Sequence, residues 1–259
     1  MLIDEKIIEC ELEYIKCFSK FYENEDIIRF YDNQLEDMYY HNYTYIKKAM
    51  SEIELKGIIE NEIMLRLSQK SNFCNIIINS LVNDSLLAML KYEPQISRNG
   101  YYSFDLTKFT KLNTQSGCTI RKVNNKEMVE DILFCDLQHN EDKLGKDFCT
   151  RRCYRRGKVY ISDKGVNSYV CYYEGDIIGN CDLFIHKGVA KIEDFAVIPI
   201  HQRKGYGTTI LKELISFAIK KNSHTVYLVT DEDDTAKEMY QKIGFNKIGE
   251  RTDLFFDLT

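Results

Sequence analysis

Glu193-Asp-Phe-Ala-Val-Ile-Pro-Ile-His-Gln-Arg-Lys-Gly-Tyr-Gly-Thr208 is the stretch that decides the fold of this chain. Ala190 to Val197 reads as a strand, and Pro199 marks the loop that follows. Gly205 and Gly207 then open a run in which Ile210, Leu211, Leu214, Ile215 and Ala218 keep helical spacing. A helix N-terminus leaves its first amides unpaired, and its dipole makes that end positive. Anions bind there readily. The glycines let the backbone approach an anion with no Cβ in the way, and Arg203 and Lys204 add positive charge. The arrangement suits a pyrophosphate, although a bare glycine pair is a weak signal.

A second segment follows at Asp233-Asp-Thr-Ala-Lys-Glu-Met-Tyr-Gln-Lys-Ile-Gly-Phe245. Thr235 and Glu238 have capping-box spacing, and Gly244 is placed to end the helix with a left-handed residue. Ala236 and Tyr240 fall on one helical face, one turn apart. Together the two segments resemble the GCN5-related N-acetyltransferase (GNAT) superfamily. The first, with Gln202, Gly205 and Gly207 after a Val-x-Pro strand end, is similar to its acetyl-CoA pyrophosphate loop. The second is similar to its Asn-x-x-Ala-x-x-x-Tyr-x-x-x-Gly-Phe helix, with Asp233 standing where that family often has Asn.

The resemblance implies an α/β (α+β) acyl-CoA N-acyltransferase fold with a central mixed, largely antiparallel sheet. It implies acetyl-CoA as co-substrate and a direct attack by a primary amine in a ternary complex. Carried onto this chain, it assigns acetyl-CoA contacts to Phe195, Ala196, Val197, Gln202, Arg203, Lys204, Gly205, Tyr206, Gly207, Thr208 and Ala236. Tyr240 becomes the candidate general acid for the departing thiolate, and Glu193, on the strand, the candidate base. Strand alternation puts Glu193, Phe195 and Val197 on one face and Asp194 on the other. Each role has a plainer alternative: Tyr240 as a core residue, Glu193 as pocket lining. A non-catalytic acetyl-CoA sensor is the competing function. A longer acyl-CoA or an oxygen acceptor is a third.

Outward from these motifs, Cys118 to Val123, Ser168 to Tyr173, Ile177 to Ile185 and Thr225 to Val229 read as strands, with short candidates near Lys247 and over Asp253 to Leu258. Lys126 to Leu137 and Asp142 to Arg156 read as helices. The polar segment Lys111 to Gly117 separates this half from what precedes it. The expected division is an N-terminal mixed α/β domain over 1–112, a linker at 113–117 and the acetyltransferase domain over 118–259. The first part shows a helix pattern over Glu52 to Leu67, a buried strand at Phe73 to Ile78 and a tyrosine-rich Tyr39 to Tyr45 that fits a strand or a binding surface. It has no Gly-x-Gly loop and is not expected to bind CoA. A degenerate acyltransferase-like half and a lid over the acceptor cleft are its two readings. No repeat is visible by eye.

The net charge of −5 argues against broad nucleic-acid binding. Nine cysteines at irregular spacing do not form a disulfide framework and fit a reducing setting. Cys149 and Cys153 have no second pair with zinc spacing, so no metal is expected. Met1 to Cys10 lacks the pattern of a signal peptide, and no run approaches the ~20 apolar residues of a membrane span. A cytoplasmic location is the expectation. The basic cluster Arg151, Arg152, Arg155, Arg156 and Lys158 reads as cations at a helix C-terminus or as a site for an acidic acceptor. Cys181 and His186 fall on opposite strand faces and form no dyad. His201 is expected to be exposed, and His41 packed or solvated.

Overall fold

The computed structural model describes residues 3–162 and 165–259. Of the segment Met1 to Cys10, Met1 and Leu2 lie outside the described residues. The first half runs α1 (Glu5–Lys16), β1 (Lys20–Glu23), β2 (Ile27–Tyr31), β3 (Thr44–Ile46), α2 (Glu52–Ser68), β4 (Phe73–Ile78), α3 (Asp84–Met89) and β5 (Gln95–Phe104). The second runs β6 (Cys118–Lys122), α4 (Lys126–Leu144), α5 (Lys146–Ile161), β7 (Val166–Tyr173), β8 (Asp176–His186), β9 (Val189–Val197), α6 (Tyr206–Lys220), β10 (Thr225–Asp231), α7 (Ala236–Ile243) and β11 (Phe245–Asp257). From α5 onward the second half repeats the order of the first, element for element. The repeat invisible in the sequence is therefore present in the fold.

The strands form one sheet in the order β1-β2-β3-β4-β11-β5-β10-β9-β8-β7-β6. Each half lends its last strand to the other. Strand β5 runs antiparallel to β10, and β11 runs antiparallel to β4. The two exchanged strands pair with each other at the centre, from Phe245 opposite Phe104 to Phe255 opposite Gln95. The corresponding pairs β3/β4 and β9/β10 are parallel, and the rest are antiparallel. The two short strand candidates near the C-terminus are one long strand, bent by a bulge between Lys247 and Gly249.

Strand alternation splits the core between the two sheet faces. Tyr227 packs with α1, α4 and α5 on one face, while its neighbours Val226 and Leu228 pack with α6 and α7 on the other. Helices α2 and α3 cover that second face over β4 and the end of β11. Local signals set the elements. Asn125 accepts a hydrogen bond from the Met128 amide to cap α4, and Gly145, at φ 78°, separates α4 from α5. Glu174 and Gly175 both take positive φ, which matches the right-handed twist of the β7–β8 hairpin.

The basic cluster on α5 finds a third use, foreseen by neither reading. Arg155 pairs with Asp32, Arg151 with Asp37 and Asp147, Arg152 with Asp136, and Arg156 with Asp182 and Asp194. Lys158 reaches Gln34. Much of the cluster thus clamps α5 onto the Asp32–Asp37 loop of the first half. His41 is buried beneath that loop, 3.0 Å from Asp32 and stacked on Phe18. Of the tyrosine-rich segment, Tyr43 and Tyr45 are buried around β3, and Tyr39 and Tyr40 stay exposed. No helix among the described residues is long and apolar enough to cross a membrane.

Candidate active site

Strands β9 and β10 pair in register only from Val189 opposite Thr225 to Ile192 opposite Leu228. Beyond that point β9 continues to Val197 and β10 to Asp231 without pairing to each other. From Glu193 to Val197 the backbone of β9 therefore has no β10 partner; side chains serve part of it, Asn180 Nδ2 donating to the Asp194 carbonyl at 3.0 Å, and the remainder needs water or a ligand. On its other edge β9 carries a bulge against β8. Asn180 faces Ala196 and Asp182 faces Glu193, so Cys181 stands opposite two residues. Asp194, one of those two, takes φ 49°, a region that Asp tolerates better than most residues. Gly179 lies directly against the Ala196 carbonyl, where a Cβ would overlap the oxygen.

This bulge overturns the expected face-sharing. Glu193 turns toward α1, where its Oε2 lies 2.8 Å from Lys191 Nζ. Asp194 joins the same side, paired with Arg156 of α5. Phe195 turns to the other face, with its ring 6.3 Å from that of Tyr240. The extra residue shifts the alternation by one, so Glu193 and Phe195 lie on opposite faces.

Helix α6 begins at the splayed end. Gly205 is its N-cap at φ 84°, with no capping side chain. Arg203 before it also takes a positive φ, 62°. Gln202 is turned inward, its Nε2 donating to the Val197 carbonyl at 2.9 Å. Phe195, Ala196, Val197, Gln202, Arg203, Gly205, Gly207, Thr208, Ala236 and Tyr240 line one cleft of about 880 Å³, within the ~300–1,000 Å³ of small-molecule sites. Glu193, Lys204 and Tyr206 do not line it. Tyr206 is buried, its ring 5.0 Å from Tyr173 and 5.9 Å from the half-buried His201.

Helix α7 closes the cleft. Its N-terminus is not the expected capping box: Thr235 makes no side-chain cap bond, and Asp234 Oδ1 accepts from the Ala236 amide instead. Gly244 ends the helix at φ 122°. Tyr240 is buried, and burial, reinforced by Glu193 and Asp234, raises its hydroxyl well above the usual tyrosine range. It stays a neutral donor at working pH.

Three features of the site left no mark in the sequence. The presumed linker forms a wall of the cleft through Lys111 to Gln115. It is pinned to α6 by the Gln115 amide donating to Thr209 Oγ1 (2.8 Å) and Lys212 Nζ donating to the Leu112 carbonyl (2.6 Å). His139 of α4 lines both this cleft and an adjoining polar pocket of about 190 Å³ that includes Asp136, Arg152, Arg156, Asn180 and Asp194. Burial lowers the His139 pKa, which favours the neutral ring. Under this pocket, burial, partly offset by Arg156 and reinforced by Asp194, pushes Asp182 up to about 7. Cys181 is buried on the α6 face and His186 pairs with Glu9 on the other, so the two do not meet. Cys149 and Cys153 are buried on α5.

A parallel strand pair thus splays beside an uncapped, glycine-opened helix, and both open onto one cleft. Comparison with known proteins names the family. Residues 127–245 match the model of the Acetyltransferase (GNAT) family. A protein of Bacillus subtilis (strain 168), the uncharacterized N-acetyltransferase CgeE, is 33% identical over 109 residues, covering 40% of this chain and 42% of that protein. The chain thus spans less than half the length of that curated relative. A functionally unknown conserved protein from Staphylococcus epidermidis superposes with a TM-score of 0.79 at 20% identity, over 99% of this chain and 98% of the other. A tandem GNAT protein from the clavulanic acid biosynthesis pathway superposes with a TM-score of 0.59 at 8% identity, over 99% and 97%. The C-terminal half of this chain belongs to the GNAT superfamily, and the whole chain has the two-part architecture seen in tandem members.

Proposed function

We propose that the protein is an N-acetyltransferase that moves an acetyl group from acetyl-CoA to a primary amine by direct attack in a ternary complex. The observation that carries this reading is one cleft holding both the splayed end of β9 and the uncapped start of α6, with Tyr240 on its wall. The backbone of Phe195 to Val197, unpaired with β10, would hold the pantetheine arm. The first amides of α6 and the Arg203 guanidinium would hold the pyrophosphate, and Gly207 leaves the approach open.

The acceptor amine must shed a proton, since an alkylammonium near ~10.4 is no nucleophile. Glu193 is the base in this reading: its carboxylate is part-exposed on β9 beside the splayed end of the strand. Tyr240 keeps its own proton. Its hydroxyl therefore acts by donating a hydrogen bond to the departing sulfur, where negative charge develops. Nine cysteines with no disulfide among the described residues support a cytoplasmic setting.

The test is release of free CoA thiol against panels of amines and peptides, with acetyl-CoA binding followed by thermal shift. Acetyl-CoA at a hundred times its Kd stabilises a folded binder by about 2.7 kcal/mol. Folded protein with no shift at millimolar acetyl-CoA overturns the reading. A shift with no turnover on any acceptor leaves the sensor function in its place.

A further inference from the structure

Two residues before Glu193, Lys191 points to the same side of β9 and is buried, its side chain 5% exposed. Its ammonium lies 2.5 Å from Glu11 Oε1 of α1 and 2.8 Å from Glu193 Oε2. Its Nζ also lies 4.8 Å from the centroid of the Tyr14 ring. Burial works against the charge, but the two carboxylates outweigh it and hold the Lys191 pKa above its ordinary value. Lys191 is therefore a cation throughout the working range. Glu11 is itself held firmly: Tyr227 Oη donates to Oε1 at 2.7 Å and Arg251 Nη1 to Oε2 at 3.2 Å. Arg251 is shared in turn with Asp253.

We propose that Lys191 is a positioning residue through which α1, from the first half of the chain, sets the orientation and ionisation of Glu193. The inference rests on Glu193 being the base, as read above. A buried ammonium shared by two carboxylates divides its field between them. Glu11 draws Lys191 toward the protein interior, and Glu193 receives what remains. Arg251 and Tyr227 hold Glu11 in place, so the share is fixed by the fold. The other groups facing this cluster are Cys10 and Tyr14 on α1, Tyr43, Tyr45 and Tyr101 around Glu11, Tyr40 and Tyr240 toward Glu193, Asp253 on β11, and Asp182, Arg156 and Asp194 beyond Tyr14. None of these touches Glu193 as Lys191 does.

The role predicts pH shifts of opposite sign, which a merely structural network does not. With one working acceptor, kcat/KM is measured against pH for wild type, Lys191→Met, Glu11→Gln and Glu193→Gln, alongside the acetyl-CoA Kd of each. Lys191→Met removes the cation beside Glu193 and moves the acid limb to higher pH by about one unit, the low end of the range for a close opposite charge. Glu11→Gln keeps the shape and the Tyr227 bond, frees Lys191 for Glu193, and moves the limb to lower pH by a smaller step. Acetyl-CoA Kd stays unchanged in both.

An acid limb that survives in Glu193→Gln removes Glu193 as base and with it the premise. A limb that depends on Glu193 but stays put in both other variants, or moves the same way in both, overturns the positioning role and leaves the acetyltransferase reading standing. Should Lys191→Met fail to fold, Glu11→Gln decides alone. Its shift must then vanish in the Glu11→Gln/Glu193→Gln double variant, and a shift that persists overturns the proposal.

Discussion

The two halves of this molecule run through the same order of elements, yet at the corresponding turn they do opposite things. In the second half, β9 outruns its pairing with β10, and α6 starts at Gly205 with no side chain on its first amides. In the first half, β3 and β4 stay paired to their last residues, Ile46 opposite Ile78. The loop that follows is short, and α2 starts with a full capping box: the Glu54 amide donates to Ser51 Oγ (3.3 Å), and the Ser51 amide donates to the Glu54 carboxylate (2.9 Å). Glu52 and Glu54 place negative charge where an anion would sit. The nearby cations, Lys47 and Lys48, are already paired with Glu23, Glu25 and Asp26. The same order of elements thus leaves a helix start open for the proposed anion site in one half and closes it with its own caps and pairings in the other. The support is physical, because each half completes the sheet of the other.

The most severe way to break the comparison is to separate the halves. A chain beginning at Gly117 keeps both cofactor motifs but loses β5, the strand on which both β10 and β11 pair. It also loses α1, which covers part of β8 and β9. We expect it to lack a cooperative thermal transition and to bind no acetyl-CoA. A folded fragment that binds acetyl-CoA would establish 118–259 as an independent domain and reduce the strand exchange to decoration. The next largest effect belongs to Tyr240→Phe, which keeps the ring contacts with Phe195 and Phe245. Loss of one hydrogen-bond donor to a developing negative charge lowers kcat by ~10²–10³, while acetyl-CoA Kd holds. Unchanged kcat removes the hydroxyl from the chemistry.

Paired substitutions at the two helix starts sharpen the contrast. Gly205→Val forces a β-branched residue to φ 84° and crowds Gln115, whose Nε2 would stand 2.8 Å from the new Cβ. The acetyl-CoA thermal shift should disappear. Ser51→Ala at the matching position should cost about 1 kcal/mol of stability and leave the acetyl-CoA shift whole. If both variants lose the shift, the first half takes part in cofactor binding after all.

The smallest effect lies at the clamp between the halves. Burial lowers the His41 pKa below 6.5, against the pull of Asp32. The folded state therefore favours neutral His41, and its contribution is present above that value and lost as pH falls through it. Asp32 is lowered as well, its bonds to His41 and Arg155 outweighing burial, and Asp37 is lowered by Arg151. Their contributions hold above ordinary carboxylate values and fade below about pH 4. Melting temperature should decline gently from pH 6.5 downward and more steeply below 4. His41→Gln should flatten the upper part only. A slope unchanged in His41→Gln would assign that part to another group.

Much of the site was legible because its signals are local. The glycines before α6, the apolar spacing within it, and Ala236, Tyr240 and Gly244 along α7 each act within a turn or two of themselves. The acetyl-CoA contacts inferred from them gather mostly in one cleft, with Lys204 and Tyr206 lying off it. Glu193 was placed on the correct strand but on the wrong face relative to Phe195. A single bulge at Asp194 reverses every side chain after it, and alternation cannot anticipate one. His139 and the Lys111 to Gln115 wall gave no signal, since nothing in their own neighbourhood requires a cleft beside them.

The sequence by itself determined the acyltransferase-like second half, its glycine-opened helix start and the helix that carries Tyr240, because hydrogen bonding, helix dipoles and glycine conformations operate at short range. Only the tertiary structure decided which strand β10 and β11 would pair with, that α5 would spend Arg151 and Arg155 on the first half, and that Lys191 would tie Glu193 to α1. A strand's backbone offers the same donors and acceptors to any partner. A buried charge takes whichever opposite charge the packing brings within reach. Those choices depend on the whole chain at once, and no window of residues contains them.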